Sequence, residues 1–384
     1  MGAGDLIIEN ARVWAHPAEQ ISEPRTLVVR NGIIGDDPAT LGTPVLDAAG
    51  RVVTAGFINS HVHLTERDWA HARSKSAAEL QGSLDDMFLS RGFTTVLDLS
   101  SSPLDTNALI RRVEAGELRG PRIITSGTGI RPWRGLAFYI RESTPWYLRW
   151  ANPGPPTALG ARVTVALQAK MGAGLTKLFT GSYVERDRIK PMNVSVARAA
   201  ADAAHRRGMR VLAHPSNREG TRIALDAGVD ALAHVPDETE GTHDLLVDAA
   251  ARGTRVIPTL HMFESTVTAD ESYNAPIRDA LRVFLRAGGK VMFGTDVGYM
   301  PDRDTRSEFI AMHKSGMTTA DILHSLTVEP ALFLGTTDAG QIRAGAPADL
   351  VMLDSTHRNL EPEDLADVAA VVRDGSVIWR SYQE

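Results

Sequence analysis

Eight short apolar runs recur along the middle of this 384-residue chain, separated by stretches with helical spacing of their apolar residues. The runs are Val52–Ile58, Thr94–Leu99, Arg122–Ser126, Thr176–Thr180, Arg210–Ala213, Ala231–Ala233, Arg255–Thr259 and Lys290–Gly294. Val194–Arg207 and Arg218–Asp226, between them, are amphipathic, and Arg206-Arg207-Gly208 is a helix-ending signal. Strands alternating with helices pack as right-handed βαβ units with a parallel sheet. Eight units favour a closed (β/α)8 barrel of TIM type over an open doubly wound sheet. Chains of about 200 to over 400 residues carry such barrels. No P-loop and no Gly-x-Gly-x-x-Gly is present, which argues against nucleotide-binding folds.

The two ends of the chain read differently. Asp5–Val13 and Thr26–Arg30 have strand character, with the turn Arg30-Asn31-Gly32 after the second. Ala348–Leu353 and Val368–Val372 match them at the other end, and Arg373-Asp374-Gly375 makes a tight turn before Ser376–Arg380. The expected organisation is a small β-sandwich built from both termini, 1–51 plus 341–384, around a barrel of 52–340. The segment Arg131–Pro156, rich in Trp, Arg, Tyr and Pro, follows the third run and falls on the catalytic side of a barrel.

Composition narrows the chemistry. The chain has no cysteine, so disulfides, thiolate nucleophiles and Cys-based zinc sites are excluded. Any metal must be held by His, carboxylates or a modified side chain. Net charge is −6 with no basic run, so neither nucleic acid nor a membrane surface is an expected partner. The N-terminus lacks a basic segment leading into an apolar stretch, and no run of about 18 apolar residues exists. A cytoplasmic location is the resulting expectation.

Barrel active sites form at the C-terminal ends of the strands. The first strand end carries His61-Val62-His63, and residues i and i+2 of a strand share a face. The fourth carries Lys177, the fifth His214, the sixth His234 and the eighth Asp296. Taken singly, a strand-end His also fits a hydrogen-bonded core residue, and Asp296 after Gly294-Thr295 also fits a helix cap. A mid-strand Lys177 must snorkel or be paired. Their co-occurrence at one ring of strand ends points to a metal centre.

Longer stretches of sequence carry a resemblance. Gly56-Phe57-Ile58-Asn59-Ser60-His61-Val62-His63-Leu64, Gly92-Phe93-Thr94-Thr95-Val96-Leu97-Asp98, Asp202-Ala203-Ala204-His205-Arg206-Arg207-Gly208, Gly294-Thr295-Asp296-Val297-Gly298 and Ala348-Asp349-Leu350-Val351 resemble the metal-dependent amidohydrolase superfamily, in its imidazolonepropionase-like and prolidase-like members. The resemblance implies two divalent metal ions, zinc by the N/O ligand chemistry, with manganese or iron as alternatives. His61, His63 and Asp296 would bind the more buried ion, His214 and His234 the more exposed one. Lys177 would bridge them as a carbamate formed from carbon dioxide. An ammonium cannot bind two dications, whereas a carbamate is an anion with two oxygens, and a desolvated Lys has a lowered pKa.

The implied reaction is hydrolysis of a C–N amide bond in a peptide or N-acyl amino acid. A metal-bridging hydroxide would attack, with Asp296 as general base and then acid. Tyr183, His261, Arg131, Trp133 and Arg134 are the substrate-binding candidates. Relatives that cleave small dipeptides often carry Gly-Gly-His after the third strand, but this chain has Gly129-Ile130-Arg131-Pro132-Trp133-Arg134-Gly135. An arginine there suits a carboxylate and Trp133 an apolar group; the loop also fits simple folding over the rim. A modified peptide precursor, a lactone, a carbamate or a cyclic amide stand as alternative substrates, and a non-catalytic metal-binding barrel as the alternative from another class. The partner expected is a small-molecule or peptide substrate, and the resemblance is compatible with a homo-oligomer.

Overall fold

Parallel pairing joins Phe57–Val62 to Phe93–Asp98 and that strand to Arg122–Thr125. A second parallel sheet runs Leu175–Phe179, Arg210–His214, Ala231–Ala233, Arg255–Ile257. These are the first seven strands of the barrel in the computed structural model, which describes residues 3–16, 19–35, 42–141, 154–336 and 338–381. Two seams close the ring. Gly174 N–H donates to Thr125 O at 2.9 Å, and Ile130 N–H to Lys177 O at 2.8 Å, joining the third strand and its loop to the fourth. On the other side, Met292 N–H donates to Val256 O at 3.0 Å and Ser60 N–H to Phe293 O at 2.8 Å. The eighth run, Lys290–Gly294, thus fills its place with isolated bridges rather than a regular ladder. The result is a (β/α)8 barrel.

Leu175 and Lys177 share one strand face, as do Leu212 and His214. The lower positions, with Leu97, Ala231, Ile257 and Met292, form a buried apolar set. The upper positions carry polar groups at the C-terminal mouth. Outside, helices such as Val194–His205 and Arg218–Ala227 bury their alanine-rich and aliphatic faces against the strands. Asn193 and Asn217 cap them, their side chains accepting from Ser195 N–H and Gly220 N–H. No helix among the described residues is long and apolar enough to cross a membrane.

Both termini meet in one nine-stranded sheet that folds over itself. Its centre is the long strand Leu6–Ala15, which bends at a bulge between Ile8 and Ala11. The first half pairs with Arg25–Arg30 and Val45–Asp47, the second with Val52–Ala55. Val52–Ala55 in turn pairs with Leu350–Leu353, followed by Val368–Arg373 and Ser376–Arg380. A separate buried cluster including Leu6, Ile8, Val29, Val53, Leu350 and Val372 fills this sandwich.

The run Val52–Ile58, expected as one strand, is therefore two. Gly56 is the joint: its N–H donates to Asp349 O at 2.7 Å, and a Cβ there would meet the Thr94 side chain at 2.3 Å. Chain leaves the sandwich at Ala55 and enters the barrel at Phe57. The seventh run is also shorter than expected, because a helix, Leu260–Thr266, begins almost at once.

Asn59 locks the last seam. Its side chain donates to Thr295 Oγ1 at 2.9 Å and accepts from Thr295 N–H and His61 N–H, both at 3.2 Å. It is fully buried. Asn59→Ala strands these buried groups, so chemical denaturation should show a loss of about 2–3 kcal/mol.

Candidate metal centre and its pocket

The seam between the first and eighth strands brings the first three ligand candidates together. Asp296 N–H donates to His61 O at 2.9 Å, and His63 N–H to Val297 O at 2.8 Å. Asp296 Oδ1 then lies 3.1 Å from His61 Nε2 and 2.9 Å from His63 Nε2. These three side chains form a group able to hold one metal ion. Close passage is enforced by Gly298 (φ +94°), where a Cβ would stand 1.8 Å from His63 O.

Three further candidates adjoin this group. Lys177 Nζ, fully buried, is 3.4 Å from His61 Nε2. His234 Nε2 is 3.9 Å from Asp296 Oδ2. The His214 and His234 rings are 4.7 Å apart, centroid to centroid. Non-glycine residues at the ends of the sixth, seventh and eighth strands adopt positive φ: His234 at 141°, Thr259 at 48° and Asp296 at 62°. Such conformations cost about 1–3 kcal/mol each and concentrate at functional sites.

Charge and hydrogen bonding prepare these groups as ligands. Burial, reinforced by the nearby Lys177 ammonium, holds His61, His214 and His234 well below the usual imidazole range, His214 down to about 3. All three are neutral, with a lone pair available. Thr259 fixes the tautomer of His234. Its hydroxyl donates to Pro258 O at 2.8 Å, so it accepts from His234 Nδ1–H at 2.6 Å, leaving Nε2 unprotonated. Burial also pulls Lys177 down to about 7. His214 Nε2 and Asp296 Oδ1 are buried and have no hydrogen-bond partner. The two histidines beside Asp296 Oδ1 thus sit at contact distance without donating to it. Buried imidazole and carboxylate atoms brought together with hydrogen bonds unmade fit a divalent metal.

The mouth holds the substrate-binding candidates, in differing states. Arg131 lies 5.6 Å over the Phe179 ring, its Nε buried without a hydrogen bond. Burial lowers its pKa, and no carboxylate among the described residues offsets that. Arg134 and Trp133 are exposed, the guanidinium lying 5.5 Å over the indole ring. Tyr183, on the hairpin strand Gly181–Glu185, donates its hydroxyl to Asp237 Oδ2 at 2.7 Å. His261 is in the first turn of Leu260–Thr266 and contacts Asp302 Oδ2 through Nε2 at 2.8 Å. Of the segment Arg131–Pro156, residues 142–153 lie outside the described residues.

Other residues at the mouth escaped sequence reasoning. Asp98 ends the second strand fully buried; its carboxylate accepts from Ser101 Oγ, from Thr125 Oγ1 at 2.6 Å and from Leu64 N–H at 3.4 Å, anchoring the chain just past His63. An acidic residue closing an apolar strand was the available signal. Glu308 accepts from the N–H groups of Leu260 and His261, at 3.0 and 2.6 Å, and burial pushes it up to about 8. Tyr139 and Tyr299 pack 5.2 Å apart, both close enough to Asp296 for its charge to raise their pKa values further beyond the effect of burial.

Comparison with known proteins accords with this geometry. Residues 52–378 match the amidohydrolase family. The chain belongs to that family. It is 28% identical to an imidazolonepropionase of Streptomyces griseus, over 93% of this chain and 89% of that one. A solved Xaa-Pro dipeptidase with methionine bound in its active site superposes with a TM-score of 0.82 at 24% identity, covering 98% of this chain and 100% of the other. The ochratoxinase of A. niger gives a TM-score of 0.75 at 20% identity, covering 98% and 96%. The amidohydrolase is accordingly a hydrolase of carbon–nitrogen bonds.

Thr259→Val removes the acceptor that sets the His234 tautomer. Affinity for a divalent metal ion, read in competition with a chromophoric chelator, should then fall about 10–100-fold.

Proposed function

We propose that this amidohydrolase carries two zinc ions and cleaves the amide bond of a substrate bearing a carboxylate on its leaving side, a peptide or an N-acyl amino acid. The observation that carries this reading is Arg131, a largely buried guanidinium beside the ligand cluster with no carboxylate of its own among the described residues. Such a group is costly unless a ligand completes it, and its planar fork suits a carboxylate.

His61, His63 and Asp296 would hold one ion and His214 and His234 the other, with carboxylated Lys177 between them. Bound there, the metals supply an acidified water and a Lewis acid for the scissile carbonyl. Asp296 accepts the proton of the attacking water on its carboxylate and returns it to the leaving nitrogen. Its two oxygens, Oδ1 beside His61 and His63 and Oδ2 on the side of His234, support that role. Lys177 forms its N–C bond to carbon dioxide only as the free amine, losing a proton as it does so. A value near 7 makes that amine accessible at neutral pH.

Protein supplemented with zinc and bicarbonate should release amine from dipeptides or N-acyl amino acids, and Asp296→Asn should lose about 10²–10⁴-fold of that turnover. A variant within tenfold of wild type, or turnover of lactones and carbamates with silence on every amide, overturns the reading. Reactivation of metal-free enzyme, at fixed dissolved carbon dioxide, should slow roughly tenfold per pH unit below about 7 as the ammonium form takes over. A pH-independent rate would exclude the carbamate.

A further inference from the structure

A second charge, without a role so far, has no opposite charge beside it among the described residues. Asp237 stands three residues beyond His234 on the loop after the sixth strand, half-buried. Tyr183 and Tyr273 both donate to its Oδ2, at 2.7 and 3.1 Å. Tyr273 belongs to the helix Glu271–Arg286 and reaches the centre through Phe263, whose ring lies 6.5 Å from Tyr273 and 5.9 Å from His234. Burial pushes the Asp237 carboxyl up to about 6, the two phenols oppose this, and no cation among the described residues contributes.

The loops of Arg131 and Asp237 are tied together: Ser182 donates its hydroxyl to Gly135 O at 2.7 Å, and the adjacent Tyr183 donates to Asp237. Tyr139 is near enough to both for Arg131 to lower its pKa and Asp237 to raise it, and it also feels Asp296. The mouth thus combines four phenols with a guanidinium and a carboxylate that do not pair with each other. Holding two tyrosines would not require a charge, since an amide oxygen accepts the same two hydrogen bonds without the desolvation penalty. The negative charge is surplus to the architecture and complementary to something outside it.

We propose that Asp237 receives a cationic nitrogen, a primary ammonium, on the acyl side of the substrate, opposite the carboxylate taken by Arg131. The inference rests on the reading of this mouth as an amide-hydrolysing site with Arg131 as anchor. It selects between the two substrate classes left open above: a peptide with a free amino end is favoured over an N-acyl amino acid. Asp237 acts here as a specificity residue that touches substrate, and Tyr183 and Tyr273 orient its carboxylate.

The test uses the full chain loaded with zinc and bicarbonate, and two ligands that cannot be hydrolysed. These are the ketomethylene isostere of alanyl-leucine and the same molecule lacking its amino group. Calorimetry should find the amine-bearing isostere bound about tenfold or more tightly, the scale of a charge-assisted hydrogen bond. Asp237→Asn should shrink the ratio to about twofold, with its thermal midpoint measured alongside, while Asp237→Glu, which restores the charge, should keep at least about fivefold. Equal binding of the two isosteres to wild type, no binding of either, or an undiminished ratio in Asp237→Asn overturns the inference. Because binding is read without turnover, a preserved ratio with no amide cleaved would fault the hydrolytic reading alone. Amide cleavage indifferent to the amino group would fault this one alone.

Discussion

Asp296 occupies its place through its backbone before its carboxylate does anything. Its N–H bonds to His61 O, the next residue accepts from His63, and Thr295 is clamped by Asn59. These bonds make the seam between first and eighth strands, and the seam sets the distance between a carboxylate and two imidazoles. Everything polar in the upper barrel is arranged around that distance. The left-handed backbones of His234, Thr259 and Asp296 persist because the surrounding strands over-determine them.

The cluster is poor as a structural core. Three neutral histidines, a lysine near 7 and a carboxylate are buried together, and three of their polar atoms lack hydrogen-bond partners. Each would be cheaper as an aliphatic residue. The apolar layer beneath, Leu97, Leu175, Leu212 and Ile257, contributes the stability that the upper layer forgoes. Arg131 and Asp237 extend this pattern to the mouth, where a guanidinium and a carboxylate are each desolvated with no opposite charge among the described residues to offset it.

The barrel was legible because strand and helix periods alternate through the middle of the chain, and because buried parallel strands read as continuous apolar runs. The terminal sandwich was legible from turn residues at both ends. Less visible was the break at Gly56, since Val52–Ile58 is uniformly apolar and only a tertiary contact, Thr94, demands the glycine. The eighth run reads as a strand, yet its pairing is irregular because Gly294–Asp296 bends into the site. Strand-end His, Lys and Asp were conspicuous as chemistry in apolar surroundings. Asp237, Tyr139, Tyr273 and Tyr299 were not, because they lie on loops and helices whose approach to the mouth depends on long-range packing. Tyr183 was visible, but its engagement with Asp237 was not.

The sandwich strand Leu6–Ala15 lies beside Val52–Ala55, and that strand lies beside Leu350–Leu353. During synthesis the N-terminal half of the sheet therefore emerges with one edge open, and its complement arrives about 300 residues later, after the whole barrel has been made. At roughly 5–20 residues per second, that edge stays unpaired for about 15 seconds to a minute. Pairings of such long sequence separation are slow to form, and an open edge invites other strands meanwhile. For this chain the vulnerable moment is the wait for its own C-terminus, a matter of kinetics that the finished molecule, with every central strand paired, no longer displays.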